Sequence, residues 1–182
     1  SKAVNEDIEI NADNFEYNKI NNIIYAKGNV KIEDTINNHL ILANAATYYK
    51  DSEKIITKGE TKADIQSKYF ITSKDVTYLH DRKIISSNHK TKLQDQKSQV
   101  YFADRFNYSI NQEIIKGENF LIITNYNLPK SDKLFFDSAI INLEENKFIA
   151  KNTKIEVHKD IFDNSENDPR IVGLSSSGDK DY

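Results

Sequence analysis

A repeat of about thirty residues limits what this chain can fold into more than any other feature. The run Ile10-Asn11-Ala12-Asp13-Asn14-Phe15-Glu16-Tyr17, followed by Ile23-Ile24 and Gly28, returns from Ile41 and Ala43 to Tyr48, followed by Ile55-Ile56 and Gly59. A third copy has Ile71, Ser73, Val76, Tyr78 and Ile84-Ile85, with His89 at the glycine position. A fourth has Tyr101, Ala103, Asp104, Phe106, Tyr108 and Ile114-Ile115, with Gly117 two residues early. A weaker fifth has Leu134, Phe136, Asp137, Ala139, Ile141 and Phe148, with Asn152 where glycine would stand. The anchors at positions 12, 43, 73, 103 and 136 lie 31, 30, 30 and 33 residues apart. So even a spacing marks one supersecondary unit copied along the chain, and such a unit buries its apolar face only against its neighbours.

Each unit reads as two strands joined by a turn. The segments 18–22, 50–54, 79–83, 109–113 and 142–147 are polar and turn-prone, of hairpin-loop length. β-Branched and aromatic residues flank them in period-two alternation, as in Ile8, Ile10 and Ala12 or Ile24, Ala26, Val30 and Ile32, which is the pattern of half-buried strands. No window sustains a helical period. The expectation is an all-β chain of about ten to twelve antiparallel strands in two facing sheets, built from five hairpin repeats. Five strands per sheet would make a stack roughly 24 Å long.

Alternation assigns an inward set: Ile8, Ile10, Phe15, Tyr17, Ile24, Val30, Ile32, Ile41, Ala46, Tyr48, Ile55, Ile71, Val76, Tyr78, Ile85, Tyr101, Phe106, Tyr108, Ile115, Leu134, Ala139, Ile141 and Phe148. Taken alone these residues are a core. A groove, however, is a core left open along one seam, and the set also describes an apolar trough. Exposing a dozen methylenes of an acyl chain to water costs on the order of 10 kcal/mol, at about 0.8 kcal/mol per CH₂. A trough removes most of that cost without fixing a lipid at one place. The first repeat begins near Ile8 with no capping helix before it, so Ile8, Glu9, Ile10, Asn11 and Ala12 are expected to form an open edge strand able to add a partner sheet.

Composition narrows the function further. Hydrophobic residues make up 38% of the 182 and charged ones 29%, which favours a thin, well-wetted shape over a sphere. The 25 basic and 28 acidic residues are mixed along the chain, leaving no electropositive face for nucleic acid. The absence of cysteine excludes disulfides and thiolate chemistry. The chain opens with Ser1 and has no methionine, so an upstream segment such as a secretory signal peptide is expected to have been removed. No apolar run approaches the roughly 18 to 20 residues of a membrane-spanning helix.

Catalytic patterns are missing. His39, His80, His89 and His158 are scattered without metal-ligand spacing, and no serine sits in a nucleophile elbow. Asp13, Asp104 and Asp137 recur at one repeat position; periodic recurrence assigns them a structural job at a strand jog rather than paired-carboxylate catalysis. Gly28, Gly59 and Gly117 read as bulge or turn residues. No cofactor and no enzymatic activity are expected.

The opening Ile8-Glu9-Ile10-Asn11-Ala12-Asp13, the segment Ala26-Lys27-Gly28-Asn29-Val30 and the repeated Ala-Asp-x-apolar-x-Tyr resemble the OstA-like domain shared by the lipopolysaccharide transport proteins LptA, LptC and LptD. The resemblance covers roughly residues 7–160. It implies a β-jellyroll, also called a β-taco, whose groove holds lipid A acyl chains. The tail Asn167-Asp168-Pro169-Arg170-Ile171-Val172-Gly173-Leu174-Ser175-Ser176 looks like the segment by which LptD leaves this domain for its barrel, so residues 161–182 read as a linker towards an outer-membrane barrel.

On that resemblance the domain is periplasmic, attached to the outer membrane, receives lipopolysaccharide from an LptA-like jellyroll by edge-strand addition, and passes it to the LptD barrel and LptE. Its implied lipid contacts begin at Ile8 and Ile10 and continue along Phe15, Tyr17, Ile24, Val30, Ile32, Tyr48, Ile55, Ile71, Val76, Tyr78, Ile85, Phe106, Tyr108, Ile115, Ile141 and Phe148. The sequence departs from well-known LptD proteins in having no cysteine to tie the domain to a barrel. The rival expectations are a free-standing LptA-like bridge and a non-lipid β-solenoid, either an adhesin or a carbohydrate-binding module with its site on an outer polar face.

Overall fold

The structure is a computed structural model that describes residues 2–4 and 7–156. The last residues of the expected domain and the expected linker 161–182 lie outside the described residues. The strands are β1 (Lys2–Val4), β2 (Ile8–Asn11), β3 (Asn14–Asn18), β4 (Ile23–Asp34), β5 (His39–Tyr49), β6 (Lys54–Ile65), β7 (Tyr69–Lys74), β8 (Thr77–Leu79), β9 (Ile84–Ser87), β10 (Thr91–Asp95), β11 (Val100–Ala103), β12 (Arg105–Ser109), β13 (Ile114–Thr124), β14 (Asp132–Asn142), β15 (Lys147–Lys151) and β16 (Lys154–Glu156). All pair antiparallel within one hydrogen-bonded sheet.

A crease folds this sheet into two faces. It crosses the long strands where their register shifts, between Lys27 and Val30 and between Ala43 and Ala45, and it runs through the breaks that separate β2 from β3 and β7 from β8. The backbone turns the crease in the left-handed region at Gly28 (φ +83°) and Gly59 (φ +81°), which glycine enters without a Cβ penalty. Elsewhere Asn29, Asp75, Asn119 and Asn152 take the same conformation, and short amide or carboxylate side chains tolerate it best among residues bearing a Cβ.

The recurrent aspartates hold the crease, as their periodicity implies. Asp13 N–H donates to the Gly28 carbonyl while its carboxylate accepts from Asn29 Nδ2 at 2.9 Å. Asp104 repeats the arrangement with the Glu118 carbonyl and Asn119 Nδ2 at 2.7 Å. Asp75 uses the Gly59 backbone, and Asp137 accepts from Asn152.

On one side of the crease, face one runs β3, residues 23–27, 45–49 and 54–58, β8, β9, β12, residues 114–118 and 138–142, then β15. On the other, face two runs β1, β2, residues 30–34, 39–43 and 60–65, β7, β10, β11, residues 120–124 and 132–136, then β16. The buried apolar residues of both faces form a single cluster. The all-β jellyroll architecture with two facing layers therefore stands, but the strand count does not. A repeat unit is two hairpins rather than one, crossing face one and then face two. Sixteen strands replace the expected ten to twelve, and ten layers at the usual strand spacing make the stack about 45 Å long, not about 24 Å.

Two further expectations are corrected. The segment Ile8–Asn11 is not a free edge, because β1 pairs with it: Lys2 opposite Asn11, Ala3 opposite Ile10, Val4 opposite Glu9. Gly117 is not a bulge or turn residue. It lies within β13, paired with Phe106 and Ala139, and the positive φ of that repeat falls on Asn119.

Candidate functional site

The inner surface of face one carries one unbroken cross-strand ladder. Its members, in register strand by strand, are Tyr17, Ile24, Tyr48, Ile55, Tyr78, Ile85, Tyr108, Ile115, Ile141 and Phe148. Each repeat contributes one residue before its turn and one after it. The five-residue and twelve-residue offsets from the repeat anchor are what bring tyrosine opposite isoleucine. Face two carries a matching ladder through Ile10, Ile32, Ile41, Ala63, Ile71, Leu93, Tyr101, Ile122 and Leu134. Together they make a continuous apolar seam the length of the molecule.

Burial along face one is uneven in a directed way. From Tyr48 to Phe148 every member of its ladder is buried. At the N-terminal end Tyr17 is 47% exposed and Phe15 and Ile24 are only partly buried. Tyr17 therefore departs from its expected inward burial. It sits on β3, whose only strand neighbour among the described residues is β4, and its hydroxyl donates to Asn22 Oδ1 at 2.6 Å on the rim. The inner surface of face one is therefore partly uncovered at this end, whereas Ile8 and Ile10 at the same end of face two are each 1% exposed.

Opposite the crease the free margins of the two faces meet, and polar groups join them. Asp34, at the end of β4 on face two, is 2% exposed. Its Oδ2 accepts from the Tyr78 hydroxyl of face one at 3.0 Å and lies 3.2 Å from His80 Nε2 and 3.9 Å from Lys83 Nζ. Since the Tyr78 hydroxyl proton goes to Asp34, the contact between His39 Nδ1 and that hydroxyl at 2.9 Å assigns the proton to Nδ1 of His39. His39 Nε2 is then an unprotonated, buried nitrogen without a hydrogen-bond partner. His80 also meets Glu53 Oε1 at 3.2 Å and Asp7 Oδ2 at 3.8 Å.

The surroundings shift these groups in consistent directions. Burial pushes the Asp34 carboxyl up, but the backbone and side-chain N–H groups of Asn37, the Tyr78 hydroxyl and His80 outweigh it and hold the carboxyl below its ordinary range. Burial holds the His39 imidazole below its ordinary value, with Lys83 and His80 adding to the effect and Asp34 opposing it. Burial, then the Asp34 charge and hydrogen bond, push the Tyr78 phenol up, fixing it as a donor.

A second rim contact lies further along. Lys68 Nζ in the β6–β7 turn meets Glu113 Oε1 in the β12–β13 turn at 3.2 Å. Beneath it the rings of Tyr69 and Tyr108 pack edge to face at 5.9 Å. Burial, with Glu113 and Asp95 adding to it, pushes the Tyr69 phenol up to about 12. In both contacts a face-two turn meets a face-one turn lying further along the stack, the skew expected of two twisted sheets packed face to face.

The interior is filled. A void between Gln99, Tyr101, Ile122 and Leu134 on face two and Ile141 and Phe148 on face one measures about 20 Å³, room for a single water and not for an acyl chain. Larger depressions of about 540 and 650 Å³ lie outside, one lined by Asn107, Lys116, Ile140 and Ile149, the other by Thr72, Lys92, Phe102 and Leu121. An open seam along the whole length, as expected from the repeat alone, is thus replaced by a packed trough with a joined rim. Among the described residues no group of three or more His, Asp or Glu is placed to hold a metal ion.

Of the residues named from sequence, Ile8, Ile10, Val30, Ile32, Ile71, Val76 and Phe106 join the ladder members in the shared core. The rim cluster of Asp34, His39, Tyr78 and His80 was missed as a unit. Its members are 2 to 46 positions apart in the chain, and nothing periodic connects them.

No family model matches the sequence, and no curated protein matches it. Among solved structures, the chain is similar to LptH, the LptA homologous periplasmic component of the conserved lipopolysaccharide transport device from Pseudomonas aeruginosa. The match covers 83% of this chain and 94% of that one, at 10% identity and a TM-score of 0.34. At that score the likeness carries no argument about fold or function.

Proposed function

We propose that this chain is a periplasmic lipopolysaccharide-transport domain, a non-enzymatic carrier that shields lipid A acyl chains between its two faces. The observation that carries the reading is the pair of continuous apolar ladders, uninterrupted by any charged residue over their length, with face one least covered at its N-terminal end. A fixed-site binding protein needs no such continuity; a carrier along which a lipid slides does. The repeat's resemblance to OstA-like domains supports the same reading. The charged and polar side chains are kept to the outer surfaces, the crease and the rim, so a lipid between the faces would meet methyl groups and aromatic rings throughout.

Within that family the chain is assigned to the N-terminal domain of an LptD-type protein, which would take lipid from an LptA-like jellyroll and deliver it to the barrel and LptE. This finer assignment rests on the sequence of residues 167–176, outside the described residues. A free-standing LptA-like bridge shares every feature of the trough. The open reading frame downstream distinguishes them by the presence or absence of barrel strands.

Photo-crosslinking tests the carrier reading. A photoreactive residue at Ile10 or Ile115, on the inner ladders, is expected to capture lipopolysaccharide. One at Glu16, on the outer surface of β3, is expected not to. Adducts from Glu16 with none from the inner positions would overturn the reading.

A further inference from the structure

A filled interior and an apolar cargo meet only if the two faces part, and the crease fixes where. Its strands are continuous through the backbone at β4, β5, β6, β13 and β14, so the faces cannot separate on that side. Parting has to occur at the opposite margin, where polar contacts cross from face to face at Asp34–Tyr78–His80 and Lys68–Glu113, above the Tyr69–Tyr108 ring contact and the buried Ile110 and Leu143.

We infer that the rim is a gate, held shut by the Asp34–Tyr78–His80 clasp with His39 behind it and by the Lys68–Glu113 bridge, and that lipid loads from the N-terminal end, where Phe15, Tyr17 and Ile24 of face one are least covered, by parting these two contacts in order. The inference rests on the carrier reading and specifies how that carrier is closed. Both contacts join turns, the parts of each face that can swing furthest from the crease. Asp34 and Lys68 belong to face two, Tyr78, His80 and Glu113 to face one.

The chemistry of the rim suits a gate. When it parts, Asp34, His80, Lys68 and Glu113 exchange one another for water, a near-balanced trade for charged groups. The ladders behind them have no such substitute, because exposed isoleucine and tyrosine rings gain nothing from water. An open rim is therefore disfavoured mainly by its apolar lining and to a smaller extent by its polar latch, and an acyl chain that covers the lining removes the larger part of the penalty. Opening is thereby coupled to the presence of cargo. An apolar rim would lack this property, since it would resist opening whether or not lipid was at hand.

The absence of cysteine gives a clean test in the full chain. Lys68→Cys together with Glu113→Cys places two thiols in facing turns, and a short bismaleimide containing a disulfide ties the faces together until reductant is added. Uptake of fluorescently labelled rough lipopolysaccharide is measured for the tethered, the reduced and the parent protein. Tethering is expected to slow loading by about tenfold or more, because the fraction of molecules with a parted rim falls, and reduction is expected to restore it. His80→Gln, which weakens the clasp without a tether, is expected to load faster than the parent. Equal loading with and without the tether would overturn the gate while leaving the carrier reading intact. No loading by any form, the parent included, would overturn both.

Discussion

Gly117 shows how closely the two faces constrain single positions. A Cβ built there would lie 2.6 Å from the Arg105 carbonyl oxygen and 2.7 Å from the Phe120 ring, so Gly117→Ala has to displace backbone. The expected loss is about 1–3 kcal/mol, read from the urea midpoint; a neutral result would mean that the faces are looser at this layer. The rim cluster makes a second prediction at the same scale. Asp34 and His39 both titrate below their ordinary values of 3.8 and 6.5, so the unfolded chain binds more protons at each site and stability falls with falling pH. The His39 contribution is whole above pH 6.5 and declines as pH drops from there towards its depressed value. The Asp34 contribution is whole above 3.8 and is lost only as pH falls further. Lys83, His80, Glu53 and Asp7 face the same cluster. Unfolding midpoints between about pH 7.5 and about pH 5.5 should fall more steeply in the parent than in His39→Gln, and parallel curves would remove His39 from this role.

The ladder is the element that the sequence disclosed best, and the rim is what it hid. Tyr17, Tyr48, Tyr78 and Tyr108, with Ile24, Ile55, Ile85 and Ile115, keep a fixed offset from each repeat anchor, and a fixed offset with period-two alternation is enough to place them in one row. The turns on the face-two margin have no such regularity. Residues 35–38, 66–68 and 125–131 differ in length and composition, and the long last one falls within the 33-residue spacing before the fifth repeat. Without those turns in register, each unit looks like one hairpin and four to six of the sixteen described strands go uncounted. Contacts across the rim are harder still, because the skew of the faces joins residues from different repeats. Position along the ladder sets the energetics. Ile55→Ala removes a side chain with no exposed surface and is expected to cost about 3–4 kcal/mol, within the range for buried isoleucine. Ile24→Ala, at the less covered end of face one, should cost about 1 kcal/mol, since half-buried methyls lose less on truncation. Equal losses measured by chemical denaturation would contradict the partial cover at that end.

At the scale of the whole molecule the sheet has ends, and the ends decide how it joins anything else. At the N-terminal end β3 has a free edge among the described residues, with Phe15 and Tyr17 beside it, while β1 covers the edge of Ile8–Asn11 with three residues. At the C-terminal end β15 and β16 are the outermost strands among the described residues, and Ile149 and Ile155 are exposed. Uncovered backbone with apolar neighbours is a template for another sheet. A three-residue pairing adds few ladder hydrogen bonds, so β1 is readily displaced, and on the proposed transport reading Ile8–Asn11 would serve as the docking edge for an LptA-like jellyroll once β1 leaves. Deleting residues 1–4 should then tighten that association, seen as a faster-sedimenting species at concentrations where the parent stays apart. If deletion leaves the association unchanged, the partner adds to β3 instead, and a proline at Glu16, which cannot donate to a sheet ladder, should abolish it.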